Sequence, residues 1–184
     1  MSYIMLTVTS ILGNIKKDPT LNQKYEELSQ KNTVENVIIQ RSESEKVRMR
    51  KTSDKGTDIG FILPSRTRLR DRDVVFLDDD KMILIELSPE LVAVLSFKVS
   101  PPSSKYTGQN NNSDFINMAI KIGHTIGNLH RPLKLEENKI IFPIQSMDEI
   151  DLFQRLLPHL KDHIVIKTDN MIFEPDQGFD VHEH

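Results

Sequence analysis

The sequence predicts an α+β protein, and three observations carry that expectation. Frequent turns cut the first half into short alternating strands. The second half alternates strand and helix patterns, and the end of the chain has no periodicity. The expected organisation is a small all-β N-terminal domain over residues 1–87, a second domain over 88–168 and a flexible tail over 169–184.

In the first half, Ile4 to Val8 alternates loosely and Val34 to Gln40 is strand-like, with a short helix or loop over Leu21 to Lys31. Lys46-Val47-Arg48-Met49-Arg50-Lys51 alternates charged and apolar residues, as a strand with one wet face does. Asp54 to Asp58 turns the chain into a strand running to Pro64. Val74 to Leu77 and Met82 to Leu87 are apolar runs joined by Asp78-Asp79-Asp80-Lys81. Short strands with frequent turns suggest a small barrel or sandwich.

Ser88-Pro89-Glu90 reads as a domain joint. Leu91 to Val99 is the next strand, and Ser113 or Asp114 is placed to cap a helix. That helix carries Phe115, Met118, Ala119, Ile122 and Ile126 on one face. Gly127 and Asn128 suit the left-handed conformation that closes a helix, and Pro132 stops it from resuming. Leu133 to Leu135 and Ile140 to Ile144 flank Glu136 to Lys139 as a hairpin. Ser146-Met147-Asp148-Glu149 reads as a capping box before a helix with Ile150, Phe153, Leu156, Leu157 and Leu160. His163 to Lys167 is the last strand. The order β-α-β-β-α-β is that of the split βαβ, or ferredoxin-like, unit.

Composition removes several function classes. The net charge of -3 over 184 residues predicts neither general nucleic-acid binding nor membrane attraction. No apolar run approaches the roughly 20 residues of a membrane span, and the N-terminus lacks the pattern of a signal peptide. The expectation is a cytoplasmic protein. There is no cysteine, so thiolate metal sites and Cys nucleophiles are excluded. No nucleophile elbow, phosphate-binding Gly-rich loop or HExxH occurs, so no enzyme is expected.

The histidines are the chemistry left. His130 sits in the turn Gly127-Asn128-Leu129-His130-Arg131-Pro132, held by backbone chemistry on both sides. His182-Glu183-His184 places two imidazoles and a carboxylate together. Glu174, Asp176, Asp180 and Glu183 add negative charge with no Lys or Arg after Glu174. Such a terminus reads either as a solvated acidic end or as a cation-collecting segment. His159 and His163 have the i, i+4 spacing of a helical metal pair, but Pro158 interrupts that helix. His124 lies on the helix before the turn, and solvated and ligand readings both fit it. The methionines are scattered among apolar positions and read as core fillers. From Arg41 to Arg72 ten basic residues face five acidic ones, which suits a solvated strand face or a docking surface.

Laid out this way, the chain resembles the UreE family of urease accessory proteins, which are nickel metallochaperones. Thr57 to Pro64 followed by Leu69-Arg70-Asp71-Arg72-Asp73-Val74-Val75 resembles the family's G-x-x-L-P … L-R-x-G-D-x-L stretch. Ser88-Pro89-Glu90 is similar to its A-P-E joint, and Ile126-Gly127-Asn128-Leu129-His130 to its L-G-N-R-H motif. Phe173-Glu174-Pro175-Asp176-Gln177-Gly178 resembles the F-x-P-x-x-G that leads into a histidine-bearing tail. Leu129 replaces the usual arginine, and Arg72 the usual glycine of the G-D pair. The tail holds two histidines rather than a long run.

The resemblance implies a nickel-binding metallochaperone that delivers Ni²⁺ during urease active-site assembly. It implies a homodimer in which two His130 imidazoles face one ion, with His182 and His184 as further metal ligands. Dimers pairing further through metal, and partners in the urease accessory GTPase and the urease apoprotein, are also implied. Imidazole sites accept Cu²⁺ or Zn²⁺ as well. The competing expectation is a protein- or RNA-binding module, since β-α-β-β-α-β units also bind RNA through strand aromatics, here Phe97 and Phe142.

Overall fold

The computed structural model describes residues 5–98, 109–158 and 163–176, without the side chains of 109–115. The chain divides into two compact units, Met1–Pro89 and Glu90–His184.

The first unit holds two sheets. One has the order β1-β5-β4 from β1 (Leu6–Val8), β5 (Asp58–Ile62) and β4 (Arg48–Thr52). The other has the order β2-β6-β7-β3 from β2 (Gly13–Asn14), β6 (Asp73–Leu77), β7 (Met82–Leu87) and β3 (Val34–Ile39). Val8, Val37, Ile39, Ile59, Phe61, Leu63, Ile83 and Ile85 form one buried cluster, with Met49 of β4 packed against it. Two of the charged residues that follow Met49 are paired. Arg50 donates to both oxygens of Asp58 (2.8 and 2.7 Å), and Lys51 reaches Glu43 at 2.7 Å. The bond from Lys51, with that from the Gln40 backbone N–H, holds the Glu43 carboxyl down to about 2.

The all-β expectation is corrected here. Pro19–Gln30 is a helix, α1. Asp18 caps it by accepting from the Thr20 and Leu21 N–H groups, and Pro19 opens its first turn. Leu21, Tyr25 and Leu28 then meet Val74, Met82 and Leu84. The helix closes with Thr33 N–H on Leu28 O (3.0 Å) and Asn32 N–H on Ser29 O (3.0 Å), leaving Asn32 left-handed at φ 56°.

The Leu69–Asp73 stretch is a structural brace. Asp71 is 3% exposed and accepts from the Leu87 N–H (3.0 Å) and Lys16 Nζ (2.9 Å). Asp73 accepts from the Arg70 N–H (2.7 Å) and Asn14 Nδ2 (2.8 Å). Between them Arg72 is left-handed at φ 69°, a conformation that glycine adopts without Cβ strain. Arg72→Gly is therefore expected to raise stability by about 1 kcal/mol, read as a higher denaturation midpoint at unchanged slope. A lower midpoint would mean that the Arg72 side chain outweighs the backbone strain.

In the second unit one sheet has the order β11-β8-β10-β9, each neighbouring pair antiparallel. Its strands are β8 (Glu90–Phe97), β9 (Lys134–Glu136), β10 (Lys139–Pro143) and β11 (Ile164–Met171). Two helices, α2 (Gln109–Asn128) and α3 (Asp148–Leu156), join them. Ile122 and Ile126 of α2 and Phe153 of α3 cover Ala93, Leu95 and Phe142, with the Phe142 and Phe153 rings 4.6 Å apart.

Three local readings change. The second helix begins at Gln109, before Ser113 and Asp114. The capping box is absent: Met147 is the N-cap without a side-chain bond, and the Glu149 carboxylate accepts from the Gln145 N–H instead. The last strand continues to Met171, past the residue where the tail was expected to start. Its full length pairs with β8, and Phe173 is buried against Val92 and Ile141.

Candidate metal centre

His130 closes α2. Its N–H donates to Gly127 O (2.9 Å), and the Arg131 N–H reaches Ile126 O (3.4 Å). These are the two bonds of a Schellman motif, and they make His130 its left-handed residue, with φ 51°. The sequence placed that role on Gly127 and Asn128, which remain helical. Leu129, partly buried against the core, fixes where the motif falls. The imidazole thus occupies a position where the backbone favours glycine or asparagine, and it is exposed.

The chain after His130 is tied down. Arg131 Nη2 lies 3.0 and 2.9 Å from the two carboxylate oxygens of Glu149 on α3. Further on, the Asp176 N–H donates to Leu133 O (3.2 Å), and Asp176 Oδ2 accepts from the Leu135 N–H (2.8 Å). Asp176 therefore sits beside the strand that His130 leads into.

His124 is exposed, and its Nε2 is 3.0 Å from Asn128 Nδ2. The amide nitrogen of Asn128 is a donor in that contact. His163 is exposed just before β11, and its carbonyl accepts from the Lys98 N–H (2.8 Å). His159, His182 and His184 lie outside the described residues. Among the described residues no group of three or more His, Asp or Glu is gathered to hold a metal ion. A single chain presents His130 as one imidazole on a braced turn.

The same face of α2 carries a feature that the sequence reading missed. Ile116 and Ile120 are 55% and 63% exposed. Gly123 and Gly127 continue the stripe, and a Cβ at either would meet open space. From Ile116 the steps are four, three and four residues to Gly127, and three more to His130. The signal was present in the heptad spacing, beside the stronger core face of Met118, Ile122 and Ile126.

In the first unit, Lys17, Arg66, Arg68 and Arg70 line a groove of about 510 Å³ with Asp18 and Asp73. The two carboxylates already accept backbone N–H bonds. The strand aromatic Phe142 is fully buried against Phe153, which removes it as a base-stacking platform. No helix among the described residues is long and apolar enough to cross a membrane.

These observations define a class: a two-unit α+β protein with a sheet-rich first unit and a histidine-bearing helix end in the second. Comparison with known proteins narrows it. Residues 8–88 match the model of the UreE urease accessory protein N-terminal domain. The chain is 25% identical over 142 residues to the urease accessory protein UreE of Natronomonas pharaonis, covering 77% of this chain and 61% of that one. It is 28% identical over 140 residues to those of Yersinia pestis and Yersinia pseudotuberculosis, covering 76% of this chain and 57% of each. The chain thus spans about three fifths of the length of these relatives.

Proposed function

We propose that this protein is a nickel-binding metallochaperone that carries Ni²⁺ as its cargo during urease assembly, and not an enzyme. The relatives' name, urease accessory protein, supports the setting. The observation that carries the metal reading is His130 itself, an exposed imidazole held left-handed at the end of α2. Imidazole suits Ni²⁺, and also Cu²⁺ and Zn²⁺.

One imidazole is too few to retain the ion, so the site is a half-site completed by a second copy. The stripe Ile116, Ile120, Gly123, Gly127 supports this, because exposed isoleucines beside open glycines let two helices approach closely. A two-fold axis near its end brings both His130 residues to one ion. His182 and His184 supply further ligands, and dimers can pair again through metal. The strand order β11-β8-β10-β9 with a helix after β8 and another after β10 supports a ferredoxin-like reading of this unit. The basic groove of the first unit is the docking surface in this reading. Its partners are the urease apoprotein and the accessory GTPase, met in the cytoplasm.

Titration of the purified protein with Ni²⁺ tests the half-site. One tight site per dimer is expected, weakening in acid, because imidazole must be neutral to ligate. Ile120→Asp should shift the protein to monomer in analytical ultracentrifugation and weaken that site together with dimerisation. A monomeric variant that binds Ni²⁺ as tightly as the parent would exclude the shared site.

A further inference from the structure

The turn that presents His130 is closed by one good backbone bond, His130 N–H to Gly127 O at 2.9 Å, and one weak one. Its outer bond, Arg131 N–H to Ile126 O, is long at 3.4 Å, and Pro132 has no N–H to add another. His130 is held in a backbone well that disfavours side chains with a Cβ. A contact outside the helix adds to what keeps it there, and the Arg131 side chain supplies one. Its Nη2 straddles both oxygens of Glu149, and the pair is largely withdrawn from solvent, with side chains 23% and 16% exposed.

Glu149 is itself well fixed. Its Oε1 also accepts from the Gln145 N–H (2.9 Å), and it lies in the first turn of α3, where a negative charge is favoured by the helix dipole. Partly buried and charge-assisted, such a bond is stronger and more directional than a surface ion pair.

We propose that Glu149 is a positioning residue for His130. By holding Arg131 it keeps the preceding residue left-handed, and so sets the direction of the imidazole without touching the ion. Arg131 transmits the constraint, and α3 becomes part of the metal site's frame. Outer partners bonded directly to a ligand change metal affinity by about 10- to 100-fold when removed, and one that acts through the neighbouring residue is expected at the low end of that range. This proposal rests on the reading that His130 binds metal.

The test uses the full chain and two readouts. The first needs no metal: the ¹³Cα and ¹³Cβ shifts and the amide–Hα coupling of His130 in the apo protein report its φ. Glu149→Gln should move them from left-handed values toward averaged ones, and Arg131→Gln should do the same. The second is Ni²⁺ affinity, expected to fall about 10-fold in either variant. The double variant should be no weaker than either single one, because both break one contact. Arg131→Lys, which keeps the charge, should recover part of the loss. A core variant of the same unit, Leu95→Val, controls for stability and should leave affinity unchanged at a comparable fall in Tm.

Unchanged His130 shifts in Glu149→Gln overturn the clamp, whatever happens to metal affinity. Losses that add in the double variant, or that Leu95→Val reproduces, overturn it in favour of a general structural role. If His130→Ala binds Ni²⁺ as the parent does, the metal reading fails first and the positioning role falls with it. The apo shifts would still report whether the pair holds the turn.

Discussion

Replacing His130 with glycine is expected to abolish the proposed Ni²⁺ site and, in the same protein, to raise thermal stability. The two effects have separate causes. Loss of the site follows from losing the imidazole. The gain follows from the φ of 51°, where glycine avoids a Cβ penalty of about 1 kcal/mol. In a unit of this size that is a rise of about 5 °C in Tm. Alanine should remove the site equally without the stability gain, since it keeps the Cβ. Asparagine, which tolerates the left-handed well as Asn32 does at the end of α1, should fall between the two in stability. Calorimetric titration and thermal melts on the three variants separate the outcomes. Nickel binding that survives all three would remove His130 from the site. A lower Tm in the glycine variant would mean that the imidazole's own contacts outweigh the strain.

The second large effect is expected far along the chain. Phe173 is 2% exposed and packs against Val92 and Ile141, after the last strand has ended. Phe173→Ala should cost about 3–5 kcal/mol, enough to unfold the second unit near physiological temperature. Ending the chain after Asp176 should leave the unit folded, whereas ending it after Thr168 should not, because that removes Phe173 and part of β11. Circular dichroism melts of the two truncations decide this. A folded, cooperative protein ending at Thr168 would show that the packing around Phe173 is dispensable.

Much of this architecture was legible, for reasons that differ from element to element. The β-α-β-β-α-β order could be read because Phe115 to Ile126 and Ile150 to Leu157 keep helical spacing while Leu91 to Phe97 does not. The helix α1 was harder to read, because its apolar residues Leu21, Tyr25 and Leu28 are few among polar ones, and its clearest signal is the Asp18-Pro19 start. The capping box failed because Arg131, eighteen residues away in sequence, competes for the same Glu149 carboxylate. No local pattern reports a partner brought by folding. The left-handed site was misplaced for a similar reason. Gly127 and Asn128 have the better intrinsic preference, but Leu129 belongs to the core, and its burial carries the helix to the next residue. His130 was identified as the candidate ligand on a correct sense of its constraint and an incorrect account of where the constraint lies. Beyond Thr168 the consecutive exposed polar residues Asp169 and Asn170 break the alternation, which hides the end of the strand that pairs with β8.

The two hydrogen bonds between Asp176 and the strand after His130 have a consequence for concentration. They pin the root of the acidic segment next to Leu133, which lies only three residues beyond His130. From Asp176 the backbone to His182 can span at most about 20 Å. A single imidazole confined to a sphere of that radius has a local molarity on the order of tens of millimolar. At micromolar protein in solution, that exceeds any ligand supplied from a molecule outside the dimer by several orders of magnitude. An ion held at the proposed His130 site would therefore meet a further donor in a first-order step whose rate is independent of dilution. It could pass from turn to tail without ever becoming free.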